Sequence, residues 1–288
     1  METGSAMANR TFMAIFAHPD DESFGTAGTF AALARAGARV VLVCATRGEA
    51  GEISDPALAT PDTLGAVREQ ELRCSAQAIG ADSPILLGYR DSGMAGAIEN
   101  EHEDAFATVA PDAVTAQIVQ LVREHRPEVL ITFDPRGGYG HPDHIAAHKA
   151  ATRAYREAGN PECFPEQLTA VRTHAPGMLL YVAIPRPILQ TLAVKMEAAG
   201  APMGILENIE EIGTPEEQIH IEIDIAATYD AKLASLNCHA TQINNQSPWR
   251  VLPPEDVRAV MAREYFTQVH PAPAAYRAGA PAEILLGR

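Results

Sequence analysis

The chain has 288 residues and carries 37 acidic side chains against 22 Lys and Arg, a formal charge of -15. That balance excludes nucleic acid and anionic membrane surfaces as its main partners, because phosphate binding needs a positive face. A hydrophobic content of 47% suffices for a full core in one large domain or two small ones. No run approaches the ~18 apolar residues of a membrane span, and the first residues lack the basic-then-apolar order of a secretory signal. A cytoplasmic protein without membrane insertion is therefore expected, with Met1 to Ala6 reading as a leader ahead of Met7.

Strand-like runs fall at about 11–17, 39–46, 84–88 and 128–133, with helical patterns near 23–36, 63–80, 112–125 and 143–158. Short continuous apolar runs suit strands covered on both faces, and their alternation with helices predicts right-handed βαβ units in a mostly parallel sheet. Beyond them lie an apolar run at 178–184, a helical stretch at 187–199 and an alternating run at 219–225, read as a half-exposed strand at the sheet edge. Helices near 227–239 and 254–266 and a Pro/Ala/Gly-rich tail complete the chain. The segments 90–111 and 200–218 read as long loops, which in compact domains often cover a substrate. The four cysteines, Cys44, Cys74, Cys163 and Cys238, are scattered without a CxxC pair and read as free thiols.

Two acidic–histidine clusters follow strand-like runs. His18-Pro19-Asp20-Asp21-Glu22 comes after Thr11 to Ala17, and His141-Pro142-Asp143-His144 comes after Val129 to Phe133 and a glycine-rich turn. An open catalytic zinc site needs three N or O ligands and a free position for water. A parallel sheet brings its loops together along one edge, so the two clusters can meet there. His18 and Asp21 can face one point with Asp20 turned to the water, and His144 supplies a third ligand. Asp143 can orient His141 by accepting its ring proton, and Tyr139 can project from the glycine turn. An acid at a helix start can also simply cap it, but that accounts for one acid, not for a histidine with three. His148 lies four residues beyond His144 without the glutamate of a zinc-protease pattern, and is read as packing or support. By residue type alone, Arg68 reads as a helix ion pair, Asp91 as turn and Glu52 as loop surface, and His239 with Gln242 either reaches the site, caps the last helix or packs.

These two clusters together resemble the LmbE-like, or PIG-L, family of zinc-dependent N-deacetylases. The likeness covers about residues 10–160 and resumes at Lys232 to Gln242. Within the family the chain is most similar to the mycothiol branch of N-acetylglucosaminyl-inositol deacetylases and S-conjugate amidases. The residues that carry this are Arg47 to Glu52, Arg68, Arg90 to Met94 and Asp134 to Tyr139. The stretch 160–218 does not match.

The resemblance implies a Rossmann-like three-layer α/β fold with a mostly parallel sheet, and a C-terminal extension adding a strand and helices. One domain spans 8–288, with a core to about 160 and a substrate-shaping part after 161. The implied zinc ligands are His18, Asp21 and His144, with iron(II) as the alternative ion. Asp20 becomes the general base, and Tyr139, His141 and Asp143 serve the oxyanion or leaving group. Glu52, Arg68 and Asp91 contact substrate. The implied reaction is hydrolysis of an N-acetyl group on an amino-sugar substrate by metal-activated water, with homo-oligomerisation left open. Rival readings are an S-conjugate amidase, a zinc-dependent hydratase of a small carboxylate with arginines near the site, and a metal- or carbohydrate-binding module without catalysis.

Overall fold

A computed structural model describes residues 7–273, 275–279 and 285, so the leader read at residues 1–6 lies outside the described residues. In chain order the elements are β1 (Thr11–Phe16), α1 (Asp21–Gly25), α2 (Ala27–Arg35), β2 (Arg39–Cys44), α3 (Leu64–Ile79), β3 (Ile85–Leu86), α4 (Pro111–His125) and β4 (Val129–Thr132). There follow α5 (Gly137–Gly140), α6 (Pro142–Glu157), β5 (Met178–Ala183), α7 (Arg186–Ala198), α8 (Ile209–Ile212), β6 (Ile221–Asp224), α9 (Tyr229–Cys238), α10 (Pro248–Val251), α11 (Pro254–Met261), β7 (Arg263–His270) and β8 (Arg277–Gly279). They build one sheet in the order β3-β2-β1-β4-β5-β7-β6-β8.

β3, β2, β1, β4 and β5 run parallel. All of β1 and β4 is buried, which is why both read as unbroken apolar runs rather than alternating ones. The chain leaves β1 toward β2 on one side and later returns to pair β4 on the other. Right-handed crossovers then put α2 and α3 on one face and α4 and α6 on the opposite face. The packing of α3 and α2 on α9, and of α4 on α6, matches this division. The fold is the expected mostly parallel α/β sheet between helical layers.

Three expectations change. The helix read over 254–266 ends at Met261, and Arg263–His270 is a strand whose burial alternates residue by residue. Its period of two belongs to a strand with one face on the core, and the preceding amphipathic turn masked where the helix stops. β7 inserts antiparallel between β5 and β6. The run at 219–225 is therefore not an edge: β6 lies between β7 and β8.

The third change concerns cysteine. Cys74 on α3 and Cys238 at the end of α9 form a disulfide, while Cys44 and Cys163 are free. The two partners are 164 residues apart in sequence, so no local spacing marks them, and only the packing of α3 on α9 brings them together. A second tie between distant parts is the buried pair of Lys232 Nζ and Glu264, 2.9 Å apart. The Glu264 carboxylate also accepts the amides of Gly28 and Thr29 at the start of α2.

Candidate metal centre and active site

β1 and β4 are neighbours whose connections run to opposite sides, so their C-terminal ends open the crevice in which doubly wound sheets bind ligands. The two acidic–histidine clusters meet in that crevice. Nδ1 of His18 lies 3.2 Å from Nε2 of His144. Asp21 brings Oδ1 to 3.3 Å from the same His144 nitrogen and Oδ2 to 3.8 Å from His18 Nδ1. Three ligands at ~2.0–2.1 Å around a tetrahedral ion stand roughly 3.3–3.4 Å apart, so this spacing fits one divalent cation.

The proton positions support the fit. His18 donates from Nε2 to Asp143 Oδ2 at 3.2 Å, with Asp91 Oδ1 at 3.4 Å. His144 donates from Nδ1 to the Gly137 carbonyl at 3.1 Å. Both imidazoles thus turn their remaining ring nitrogens toward each other and toward a carboxylate, an arrangement that calls for a cation, either a proton or a metal ion, between them. Gly137 has φ 66°, and a Cβ there would stand 2.7 Å from the His144 Cβ, so glycine is required for that carbonyl to reach the ring. Burial opposes charge on His18, but the bonds from Asp143 and Asp91 outweigh it and raise its pKa to about 10. Burial and the neighbouring His18 lower His144 to about 3.

Asp20 sits between two of these ligands. Burial raises its carboxyl to about 6 against the opposing charge of Arg68, near the value that suits a base working at neutral pH. Arg68 is buried, not an exposed helix ion pair: Nη1 donates to the Gly48 carbonyl at 2.9 Å, and Nη2 to the Pro19 carbonyl at 2.6 Å and to Asp20 Oδ2 at 3.1 Å. Its bonds fix the Asp20 side chain from behind.

The second cluster departs from expectation in one respect. The Asp143 carboxylate does not accept the ring proton of His141; it accepts from His18 Nε2 and from the Ser92 amide at 2.9 Å. His141 is the N-cap of α6, and its Nδ1 accepts the Asp143 amide at 3.1 Å. The geometry at a helix start decides this, since the cap side chain turns back onto the first amides. The proton of neutral His141 therefore resides on Nε2, and burial with the nearby His18 charge lowers its pKa to about 4. Tyr139 is 54% exposed and stands edge-on to His144 with ring centroids 5.0 Å apart. Burial of its hydroxyl among Asp21, Asp20 and Asp91 raises its pKa.

Asp91 is buried under His18, accepting the Gly93 amide at 2.8 Å and the Ala50 amide at 3.2 Å. Burial acts against its charge, but His18 holds its pKa well below the usual carboxylate range. Glu52 is exposed, and its carbonyl accepts from Gln242. His148 bonds the Phe133 carbonyl and packs on Tyr181, away from the ligands. Sequence reasoning missed Ser92, whose signal was only a turn. It gave no role to Glu22, which accepts the Asp20 amide at 3.1 Å. His239 occupies the C-cap position of α9, and its side chain reaches inward to Glu22.

A largely apolar cavity of about 280 Å³ opens beside Asp21, His144 and Tyr139, walled by Phe24, Phe133 and Ile184. Phe24 and Ile184 also border a second cavity of about 400 Å³ that runs on to Leu192 and Trp249. Asp20, Arg68 and Asp91 line neither cavity.

Comparison with known proteins gives the same picture. The family model described as PIG-L: GlcNAc-PI de-N-acetylase matches residues 13–155. A 1D-myo-inositol 2-acetamido-2-deoxy-alpha-D-glucopyranoside deacetylase of Thermobispora bispora is 39% identical, covering 96% of this chain and 93% of its own. The protein of the same name from Salinispora arenicola is 37% identical over 91% of this chain and 86% of its own. Among solved structures, the N,N'-diacetylchitobiose deacetylase of Pyrococcus horikoshii superposes with a TM-score of 0.65 at 20% identity, covering 90% of this chain and 84% of that one. The 4-carboxy-2-hydroxymuconate hydratase GalB of Pseudomonas putida superposes with 0.63 at 19% identity, covering 91% and 97%. At such identities the structures share the fold alone, and two reaction classes use it. Among the described residues no helix is long and apolar enough to cross a membrane.

Proposed function

The chain belongs to the PIG-L family of de-N-acetylases, and from that premise we propose that it is a metal-dependent hydrolase removing the N-acetyl group of a GlcNAc-inositol glycoside. One observation carries the chemistry: His18 Nδ1, His144 Nε2 and the Asp21 carboxylate face one another within 3.8 Å while both ring protons are engaged elsewhere. His18, Asp21 and His144 would hold zinc, or iron(II), both of which accept mixed imidazole and carboxylate donors. Bound there, the ion supplies a Lewis acid and an acidified water.

The remaining work belongs to side chains. Asp20 accepts a proton from the attacking water, and its pKa of about 6 lets it return that proton to the leaving amine. His141, with its proton on Nε2, and the Tyr139 hydroxyl donate to the oxyanion that forms at the amide carbon. Losing one such donor typically costs about 100- to 1000-fold in kcat. Asp143 keeps His18 in the ligating tautomer. Glu52 offers an exposed carboxylate to sugar hydroxyls, and Arg68 and Asp91 shape the polar wall that the sugar meets.

The test is to incubate metal-quantified protein with N-acetylglucosamine derivatives, an inositol glycoside among them, and to follow acetate and free amine together. Equal release of both, lost on chelation and restored by zinc, supports the reading; no release by loaded protein removes it. A second reading, cleavage of a larger amide such as an S-conjugate, is favoured by the apolar continuation past Phe24 and Ile184. Bulky N-acyl glucosamines in the same panel separate the two.

We also propose one catalytic domain over 8–288, supported by β5 of the C-terminal part pairing directly with β4 of the core. Its partner is the amino-sugar, and a charge of -15 speaks against nucleic acid. A homo-oligomer is tested by light scattering. In a cytoplasmic enzyme the Cys74–Cys238 bond would be open to reduction by cellular thiols, and thiol trapping in intact cells reads its state.

A further inference from the structure

Asp20 has a backbone φ of 120°. Residues with a Cβ seldom enter that region, and they stay there only where their surroundings over-determine them. Its side chain makes no capping bond to α1, so the conformation is not held by a helix cap. The Asp20 carbonyl accepts the Ser23 amide at 2.8 Å, and the Asp20 amide is taken by Glu22, whose Oε2 accepts it at 3.1 Å.

The other oxygen of Glu22 is fully engaged. Oε1 accepts from Ser23 Oγ at 2.8 Å, from His239 Nε2 at 2.7 Å and from Ser75 Oγ. Ser235 bonds both serine hydroxyls, at 2.6 and 2.7 Å. Glu22 and His239 are 2% and 0% exposed. A buried ion pair is a poor source of net stability, because desolvation offsets most of the attraction. Its direction is more telling: the pair is anchored in the packed α3 and α9, and its one remaining acceptor turns to the Asp20 backbone. The Cys74–Cys238 disulfide joins the same two helices, one residue before Ser75 and one before His239.

We propose that Glu22 is a positioning residue for Asp20: clamped by His239 and Ser75, its carboxylate fixes the Asp20 amide and with it the direction of the Asp20 side chain. This rests on the reading of Asp20 as the base. In metal-quantified protein, Glu22→Gln is expected to lower kcat about 10- to 100-fold, with KM and metal content within about twofold of wild type. In an Asp20→Asn background the same substitution leaves the residual rate unchanged, since nothing is left to position. His239→Gln, which retains an N–H donor, recovers part of the rate that His239→Ala loses, and this pair serves if Glu22→Gln does not fold. A wild-type kcat in Glu22→Gln, or an equal loss in the Asp20→Asn background, overturns the proposal. A metal-loaded wild type that turns over no N-acetyl substrate overturns the deacetylase reading itself, and the proposal with it.

Discussion

Nε2 of His18 and Oδ2 of Asp143 are 3.2 Å apart and buried, joining the loop after β1 to the first turn of α6. The bond spans the switch point of the sheet and selects the tautomer in which His18 turns Nδ1 toward Asp21 and His144. Replacing such a support typically costs 10- to 100-fold in metal affinity. Asp143→Ala is therefore expected to lose metal to a chromophoric chelator about 10- to 100-fold more readily than wild type. Equal retention would show that His18 keeps its orientation without Asp143.

Arg68 lowers the pKa of Asp20 against the burial that raises it to about 6. Removing the cation in Arg68→Met leaves burial unopposed, so the Asp20 pKa rises. The base must be deprotonated to act, so the acid limb of kcat moves to higher pH and the rate at neutrality falls. A pH profile of kcat checks this; an unmoved acid limb would detach Arg68 from the base.

Burial pushes the Glu22 carboxyl up, but the charge and hydrogen bond of His239, with Ser75 and Ser23, outweigh it and hold the pKa at about 2 against an ordinary 4.5. A depressed carboxyl contributes stability that is present above its unfolded pKa and lost as pH falls through the folded one. The advantage of wild type over Glu22→Gln is therefore expected to shrink between about pH 4.5 and pH 2, by an amount on the order of 3 kcal/mol. Urea midpoints measured across that window decide it, and a constant difference would mean that the pair does not titrate as a unit.

The Cys74–Cys238 bond closes a separation of 164 residues. In the chain-entropy account a loop of that length stabilises by at most about 5 kcal/mol. Cys74 is exposed, so a phosphine reductant has access. Reduction, or Cys74→Ser with Cys238→Ser, is expected to lower the melting temperature by roughly 5–15 °C. A shift under about 2 °C would show that α3 and α9 are held by packing alone.

The apolar runs of β1, β2 and β4 and the two acidic–histidine clusters were legible because each is local. A strand buried on both faces must be apolar throughout, and metal chemistry needs imidazoles and carboxylates at strand ends. The meeting of the two clusters and a mostly parallel sheet follow from such patterns and from the way doubly wound sheets gather their loops along one edge, whereas the strand order came only from the structure. The end of α11 and the start of β7 were not legible, because the face that β7 buries carries Glu264 and Gln268 beside Phe266, so no apolar alternation marks the strand.

The tertiary structure alone decided which acid serves which histidine. The sequence puts Asp143 beside His141, but the helix start turns His141 back onto the Asp143 amide and leaves the carboxylate to His18. It also decided that Arg68 is buried behind Asp20, that His239 reaches Glu22 and that Cys74 finds Cys238. Each of these contacts joins residues from separate elements. Sequence spacing specifies the chemistry each loop can offer, while the packing of α3 on α9 and of α6 on β1 and β4 sets the few ångströms in which a hydrogen bond is made or missed.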